Sequence, residues 1–282
     1  MSLVLRMLGA LPLPVLHAIG IIVGWLVYAV SGRFRRYLRE NLAAAGYVDR
    51  AIRRSAVAHT GMSAMEIPVI WMRRQEEVAR LVAEVRGWEL IERALAAGKG
   101  AILLTPHLGC WEITAQYVSR RHPITVLYSP PKMRAVDPLM QHGRTREGMR
   151  SVPPDLSGLR AMLRALRNGE AIGILPDQVP GIGEGEWTEF FGRPAYTMTL
   201  VSKLAQKTGA PVLLGFAERL KRGRGYRLYV GPMPEPLAGE SPQRQLNRAI
   251  EELVRRCPAQ YLWAYNRYKV PAGVEPPVQR GA

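Results

Sequence analysis

Gly100-Ala-Ile-Leu-Leu-Thr-Pro-His-Leu-Gly-Cys-Trp-Glu112 reads as a strand, a turn and the start of a helix. Its short unbroken apolar run, bounded by glycine and proline, is the pattern of a strand covered on both faces. Outward from it the chain alternates in the same way. Helical patterns are expected over 90–97, 111–119, 138–148, 156–167, 195–208 and 243–256, and strand patterns over 101–105, 124–128, 171–175, 212–217 and 226–230. Residues 33–85 read as helices, with punctuation near Gly46 and Gly61-Met62. Strands alternating with helices predict an α/β fold, a mixed central sheet flanked by helices. There is no internal repeat.

The turn after the first strand carries His107, and a carboxylate, Glu112, follows five positions later. A neutral imidazole takes a proton from a hydroxyl near pH 7, and a carboxylate on its other nitrogen fixes the tautomer and stabilises the imidazolium. Positions five apart on one regular helix lie roughly 140° apart. His107 is therefore placed in the turn and Glu112 in the first turn of the helix. The spacing alone does not decide between this and a plainer reading, because a glutamate in a first helical turn is favoured by the helix dipole in any case. Cys110 beside them reads as a packed thiol rather than a nucleophile. No tight His/Cys/Asp set suggests a metal.

With 282 residues, 48% of them hydrophobic and 22% charged, the chain is long enough to bury a sizeable core. Its formal net charge of +16 calls for an acidic partner. The two cysteines form no disulfide framework. From Met7 to Gly32 there is no Lys, Arg, Asp or Glu, and Arg33, Arg35, Arg36 and Arg39 follow at once. Pro12 and Pro14 suit the start of a helix. A helix of roughly 16–18 residues is short for a bilayer span and also suits an interfacial anchor; if it spans, the arginines keep the main body cytoplasmic. The organisation expected is an anchor over 1–32, a helical segment over 33–86, an α/β domain over 87–270 and a flexible tail over 271–282, rich in Pro and Gly.

A second basic concentration lies at 120–167. It includes Arg144, Arg146 and Arg150, and a helical ridge of Arg160, Arg164 and Arg167 beside the apolar positions Leu156, Leu159, Leu163 and Leu166. Such a ridge is either a solvated face or an anion-docking surface. Aromatic residues are not interleaved with these bases, which argues against nucleic acid.

Further blocks accompany the first one: Tyr128-Ser-Pro-Pro-Lys-Met-Arg134, Gly143-Arg-Thr-Arg146, Leu175-Pro-Asp-Gln178, Glu189-Phe-Phe-Gly-Arg-Pro-Ala195 and Lys203-Leu-Ala-Gln-Lys-Thr-Gly-Ala-Pro211. In this order and spacing the chain resembles the lipid A biosynthesis lauroyl/myristoyl acyltransferases, within the lysophospholipid acyltransferase-like superfamily, from the N-terminal apolar segment to about Ala264. The resemblance implies a single acyltransferase-type α/β domain with an N-terminal membrane helix. It implies His107 as the catalytic base with Glu112 as its partner. Arg144, and Arg146 in the same block, are implied to hold phosphate or the reacting oxygen. Asp177 and Gln178 are expected near the acceptor, and Phe190, Phe191 and Gly192 in the turn after them. The chain departs from the commonest pattern at Cys110, where relatives usually carry Asn.

The reaction implied needs no cofactor. An acyl thioester of acyl-carrier protein or coenzyme A donates to a hydroxyl of a 3-hydroxyacyl chain on a lipid A precursor, at the cytoplasmic face of the inner membrane. The acidic carrier protein would dock on Arg160, Arg164 and Arg167. Rival readings are acylation of another glycolipid or of glycerol phosphate, an acyl thioesterase, and a non-enzymatic binder of anionic lipid. The Pro-Asp-Gln and Phe-Phe-Gly blocks favour the lipid A branch over the glycerol-phosphate one.

Overall fold

The computed structural model describes residues 2–128 and 146–277. Seven strands form the central sheet: β1 (Val82–Arg86), β2 (Ala101–Leu104), β3 (Ile124–Leu127), β4 (Met149–Val152), β5 (Ala171–Ile174), β8 (Val212–Arg219) and β9 (Tyr226–Pro232). They lie in the order β1-β9-β8-β2-β5-β3-β4. Neighbours are parallel except β8 and β9, so the sheet is mixed, as expected. β6 (Gly185–Phe190) and β7 (Arg193–Met198) form a separate antiparallel hairpin.

Both faces of the sheet are covered. On β2 and β5 every residue is buried, and successive side chains enter opposite cores. Ile102, Leu104, Ile172 and Ile174 join one core, with α3 (Gly32–Ala44), α8 (Leu156–Arg167), α9 (Leu200–Thr208) and α10 (Pro242–Arg256). Ala101, Leu103 and Ala171 join the other, with α6 (Trp88–Ala96) and α7 (Trp111–Ser119).

The N-terminal region is a helical layer: α1 (Ser2–Ala10), α2 (Leu13–Val30), α3, α4 (Arg50–Met72) and the short α5 (Gln75–Ala79). α2 packs backbone to backbone against α4. A Cβ on Gly61 would sit 1.9 Å from the Gly20 carbonyl oxygen, and one on Gly24 would sit 2.4 Å from that of Val57. α4 in turn enters both cores, through Ala56 and Val57 on one side and Ile70 and Trp71 on the other.

Several expectations change. The helical reading of residues 33–85 ends early, because Val82–Arg86 is the edge strand β1. Its Glu84 accepts from Arg227 of β9, and this cross-strand pair, invisible locally, favours the strand. Arg193–Met198 is a strand rather than the first turns of a helix starting at 195, and α9 begins at Leu200. The cause is the turn before it: Phe191 and Gly192 both have positive φ, which makes a two-residue hairpin and commits the following residues to pair with β6. Met149–Val152 forms the far edge strand β4. The helix expected over 138–148 falls mostly outside the described residues, and its described end, 146–148, is a turn into β4.

Candidate active site

β2 and β5 are parallel neighbours with Leu104 opposite Ile174. Each strand leaves the sheet through the same spacing, Leu104-Thr-Pro-His107 and Ile174-Leu-Pro-Asp177. The residue three places beyond each strand end therefore meets its counterpart, at the carboxyl edge of the sheet where open α/β folds place ligands.

His107 Nδ1 lies 2.8 Å from Asp177 Oδ1, and the His107 backbone N–H donates to Asp177 Oδ2 at 2.9 Å. One carboxylate thus grips both the ring and the main chain of the histidine. Asp177 is 2% exposed and His107 9%. Burial by itself pushes the Asp177 carboxyl up, but the His107 charge and the hydrogen bonds from its ring and backbone outweigh this, and Asp177 stays below its ordinary range. An ionised Asp177 fixes the proton on Nδ1. Nε2 then carries the lone pair, and the Gln178 side-chain amide donates to it at 3.2 Å.

The turn is held from behind. Leu262 N–H donates to the His107 carbonyl and Gly109 N–H to that of Gln260, while Cys110 N–H donates to the Ala217 carbonyl of β8. Gly109 has φ of +62°, and a Cβ there would stand 2.0 Å from the Ala217 oxygen, so only glycine fits. The Gly109 carbonyl accepts from buried Arg219 at 2.7 Å. Tyr261 is buried behind Asp177, and burial, then the Asp177 charge, push its phenol well up, so it stays protonated. Tyr265 accepts from the Val179 N–H through its hydroxyl, anchoring the Asp177–Gln178 loop.

Glu112 is where the spacing places it, but the carboxylate on the His107 ring is Asp177. It stands in the first turn of α7 and accepts from Trp71 Nε1 of α4 at 3.3 Å. Both ring nitrogens of His107 face other groups, and the carboxylate on the imidazole is Asp177. Helix α7 starts only at Trp111, so its first turn points Glu112 toward α4. The resemblance implies Asp177 near the acceptor; the signal in the sequence that connects it to His107 is the repeated spacing after β2 and β5.

Arg144 lies outside the described residues. Arg146 donates to the carbonyl oxygens of Ile70, Trp71 and Arg73 at the end of α4, which is a helix-capping task. Phe190 and Phe191 are buried in the core, and Gly192 completes their turn. Phe191 packs on Trp263, its N–H donates to Glu251 Oε1, and Phe190 lies against Tyr261. These contacts hold the turn. Arg160, Arg164 and Arg167 are exposed along α8, whereas Leu156 at its start is exposed rather than packed. Cys110 is buried, and burial, then the Glu66 charge, raise its thiol well above the usual range, an inert setting.

Residues 1–270 match the family model for bacterial lipid A biosynthesis acyltransferases. The lipid A biosynthesis lauroyltransferase of Escherichia coli (strain K12) is 29% identical, over 96% of this chain and 91% of that protein. The palmitoleoyltransferase of the same strain is 26% identical over 92% and 86% respectively. A phosphatidylinositol mannoside acyltransferase of Mycobacterium tuberculosis (strain CDC 1551 / Oshkosh) is 27% identical over 56% of this chain and 51% of that protein.

Proposed function

Because the chain belongs to the bacterial lipid A biosynthesis acyltransferase family, we propose that it moves a fatty acyl chain from a carrier-protein or coenzyme A thioester to a hydroxyl of a 3-hydroxyacyl chain on a lipid A precursor, with His107 as general base and Asp177 as its orienting carboxylate. The single observation that supports this most is the 2.8 Å contact between His107 Nδ1 and Asp177 Oδ1, which leaves Nε2 as the proton acceptor.

The acceptor hydroxyl takes the place of the Gln178 amide at Nε2. His107 removes its proton as the oxygen attacks the thioester carbon. The tetrahedral oxyanion collapses, the C–S bond breaks, and the imidazolium returns the proton to the departing sulfur. Asp177 stabilises that imidazolium, as a buried carboxylate does in the hydrolase triads. The N–H groups opening α7 at Trp111 suit an oxyanion hole, since a helix start carries unsatisfied donors and partial positive charge. In this reading Arg144 meets a phosphate or the oxyanion, and the exposed Arg160, Arg164 and Arg167 take the acidic carrier protein. The assignment extends to the cytoplasmic face of the inner membrane, with residues 1–32 as the anchor and 87–270 as the catalytic unit.

A second acceptor class is favoured by one specific observation, the partial match to a phosphatidylinositol mannoside acyltransferase. The test is an assay of purified protein with an acyl-carrier thioester, alone, with a lipid A precursor, or with a phosphatidylinositol mannoside. Acyl transfer only with the lipid A precursor is expected. Transfer only to the mannoside, or thioester hydrolysis without acceptor, overturns the assignment.

A further inference from the structure

We infer that α2 attaches the protein to one anionic membrane leaflet by lying in the plane of the interface, with its packed face on α4 and its opposite face in lipid, and that it does not cross the bilayer. This specifies how the proposed inner-membrane attachment is made, and it stands or falls separately from the acyl-transfer chemistry.

The two faces of α2 differ sharply. Leu13, Leu16, His17, Gly20 and Gly24 are buried against the protein. Val15, Ile21, Ile22, Trp25, Leu26 and Val30 are exposed, Ile22 at 61% and Val30 at 82%. No charged side chain falls within the helix. An apolar stripe of this extent on a protein surface marks a partner or a membrane.

The packed face rules out crossing. α4 follows α2 at backbone contact through Gly20, Gly24 and Gly61. His17 Nε2 meets Glu66 Oε1 of α4 at 2.9 Å in a buried site, and Glu66 is paired with Arg219 of the central sheet. The far side of α4 belongs to the sheet's own cores. A spanning α2 would have to carry α4, with its arginines and glutamate, into hydrocarbon, or break this seam and leave Glu66 and Arg219 without His17. Length and composition alone would allow α2 to cross a bilayer, so the packing decides.

The charges name the occupant. Arg33, Arg36 and Arg39 are exposed just past one end of α2. Beside the first turns of α2 lies the tip of the β8–β9 connection, where Gly223 packs on Pro14 and Lys221, Arg222 and Arg224 are exposed. Because that tip belongs to the catalytic sheet, both basic clusters are fixed in one rigid frame at the two ends of the apolar stripe. Positive charge at both ends suits an anionic leaflet, whose phosphates surround an in-plane helix. A spanning helix would send one of these clusters to the opposite side. Trp25, set edge-on to Tyr28, supplies the amphipathic ring favoured at an interface.

The test uses full-length protein on phosphatidylglycerol-containing vesicles. Single cysteines at Val15→Cys, Ile22→Cys and Val30→Cys, in a Cys257→Ser background, carry a fluorophore and are read with lipids bearing nitroxide quenchers at shallow or deep acyl positions. The expected result is equal, shallow depth at all three. Deepest quenching at Ile22 with shallow quenching at the two ends would show a span and overturn the inference. Replacing Lys221, Arg222 and Arg224 together by Ser should weaken partition into anionic vesicles about 10²-fold, near fivefold per charge, with an unchanged melting curve. No change in partition overturns the role of the tip. If Ile22→Glu instead turns a dimer into a monomer and leaves vesicle binding intact, the face belongs to a second copy of the chain and the inference fails.

Discussion

Two buried carboxylates in this molecule are finished differently. Glu66 is saturated: Arg219 donates to both its oxygens, at 2.6 and 2.8 Å, and His17 stands 2.9 Å from one of them. Asp177 accepts from the ring and the backbone N–H of one histidine and meets the Tyr261 hydroxyl, and the histidine's other ring nitrogen accepts from the side-chain amide of Gln178. Both pairs are bought with desolvation. The first gains a rigid joint between α4, the sheet and the Gly109 turn; the second keeps one basic nitrogen within reach of a ligand. Burial and an imidazole–carboxylate contact therefore do not by themselves identify a base. What sets His107 apart is its place at the carboxyl edge of the sheet, with Nε2 facing a side-chain amide that a ligand hydroxyl could replace.

The largest expected effect breaks the reactive pair. His107→Ala should lower kcat by about 10³-fold, within the range of a lost general base, in protein that is still folded at the assay temperature although buried Asp177 has lost its ring partner. A variant that folds and turns over at the wild-type rate would remove His107 from the chemistry.

Next, the structural pair should fail in stability rather than in rate. Glu66→Gln strands the buried Arg219 guanidinium and should cost about 3–5 kcal/mol, a fall on the order of 10 °C in melting temperature. The protein that remains folded below that temperature should retain most of its kcat. A large loss of kcat with unchanged melting would put Glu66 in the reacting centre.

The same carboxylate sets an acid limb. Burial opposes ionisation of Glu66, but Arg219 and His17 more than reverse this and hold its pKa at about 2. A depressed pKa contributes stability that is complete above the ordinary glutamate value, about 4.3, and is lost as pH falls through 2. Chemical denaturation between pH 5 and 2 should show wild type losing stability faster than Glu66→Gln. Parallel profiles would contradict the pairing.

Smaller effects separate the arginines. Arg146→Ala should cost about 1–2 kcal/mol from lost helix-end carbonyl partners and leave kcat alone. Arg160→Ala with Arg164→Ala should raise KM for the carrier-protein donor a few-fold, more at low salt, with kcat and melting unchanged. An equal rise in KM with a coenzyme A donor would show that the ridge is not a carrier-protein surface.

Much of this was legible in the chain. The strand–turn–helix around His107, the β2 and β5 strands and the α/β class rest on contiguous patterns, and local patterns survive folding. What failed was the pairing of partners distant in sequence. Glu112 is near His107 in sequence and is the partner the resemblance implies, whereas the carboxylate that meets the ring in the fold comes from residue 177 through the β2–β5 register. Edge strand β1 was hidden for a similar reason, since Glu84 finds its counter-charge on β9. The Phe-Phe-Gly block was visible as a turn, but its place in the core depends on Trp263 and Tyr261, which arrive from the end of the chain.

The most direct measurement compares Asp177→Asn with Glu112→Gln in single-turnover acyl transfer to a lipid A precursor, each checked for wild-type melting. If Asp177 orients the base, Asp177→Asn should slow the chemical step by about 10²-fold or more, since it removes the imidazolium's counter-charge and releases the tautomer, and Glu112→Gln should slow it several-fold at most. The reverse order, with Glu112→Gln crippling and Asp177→Asn mild, would contradict the His107–Asp177 assignment.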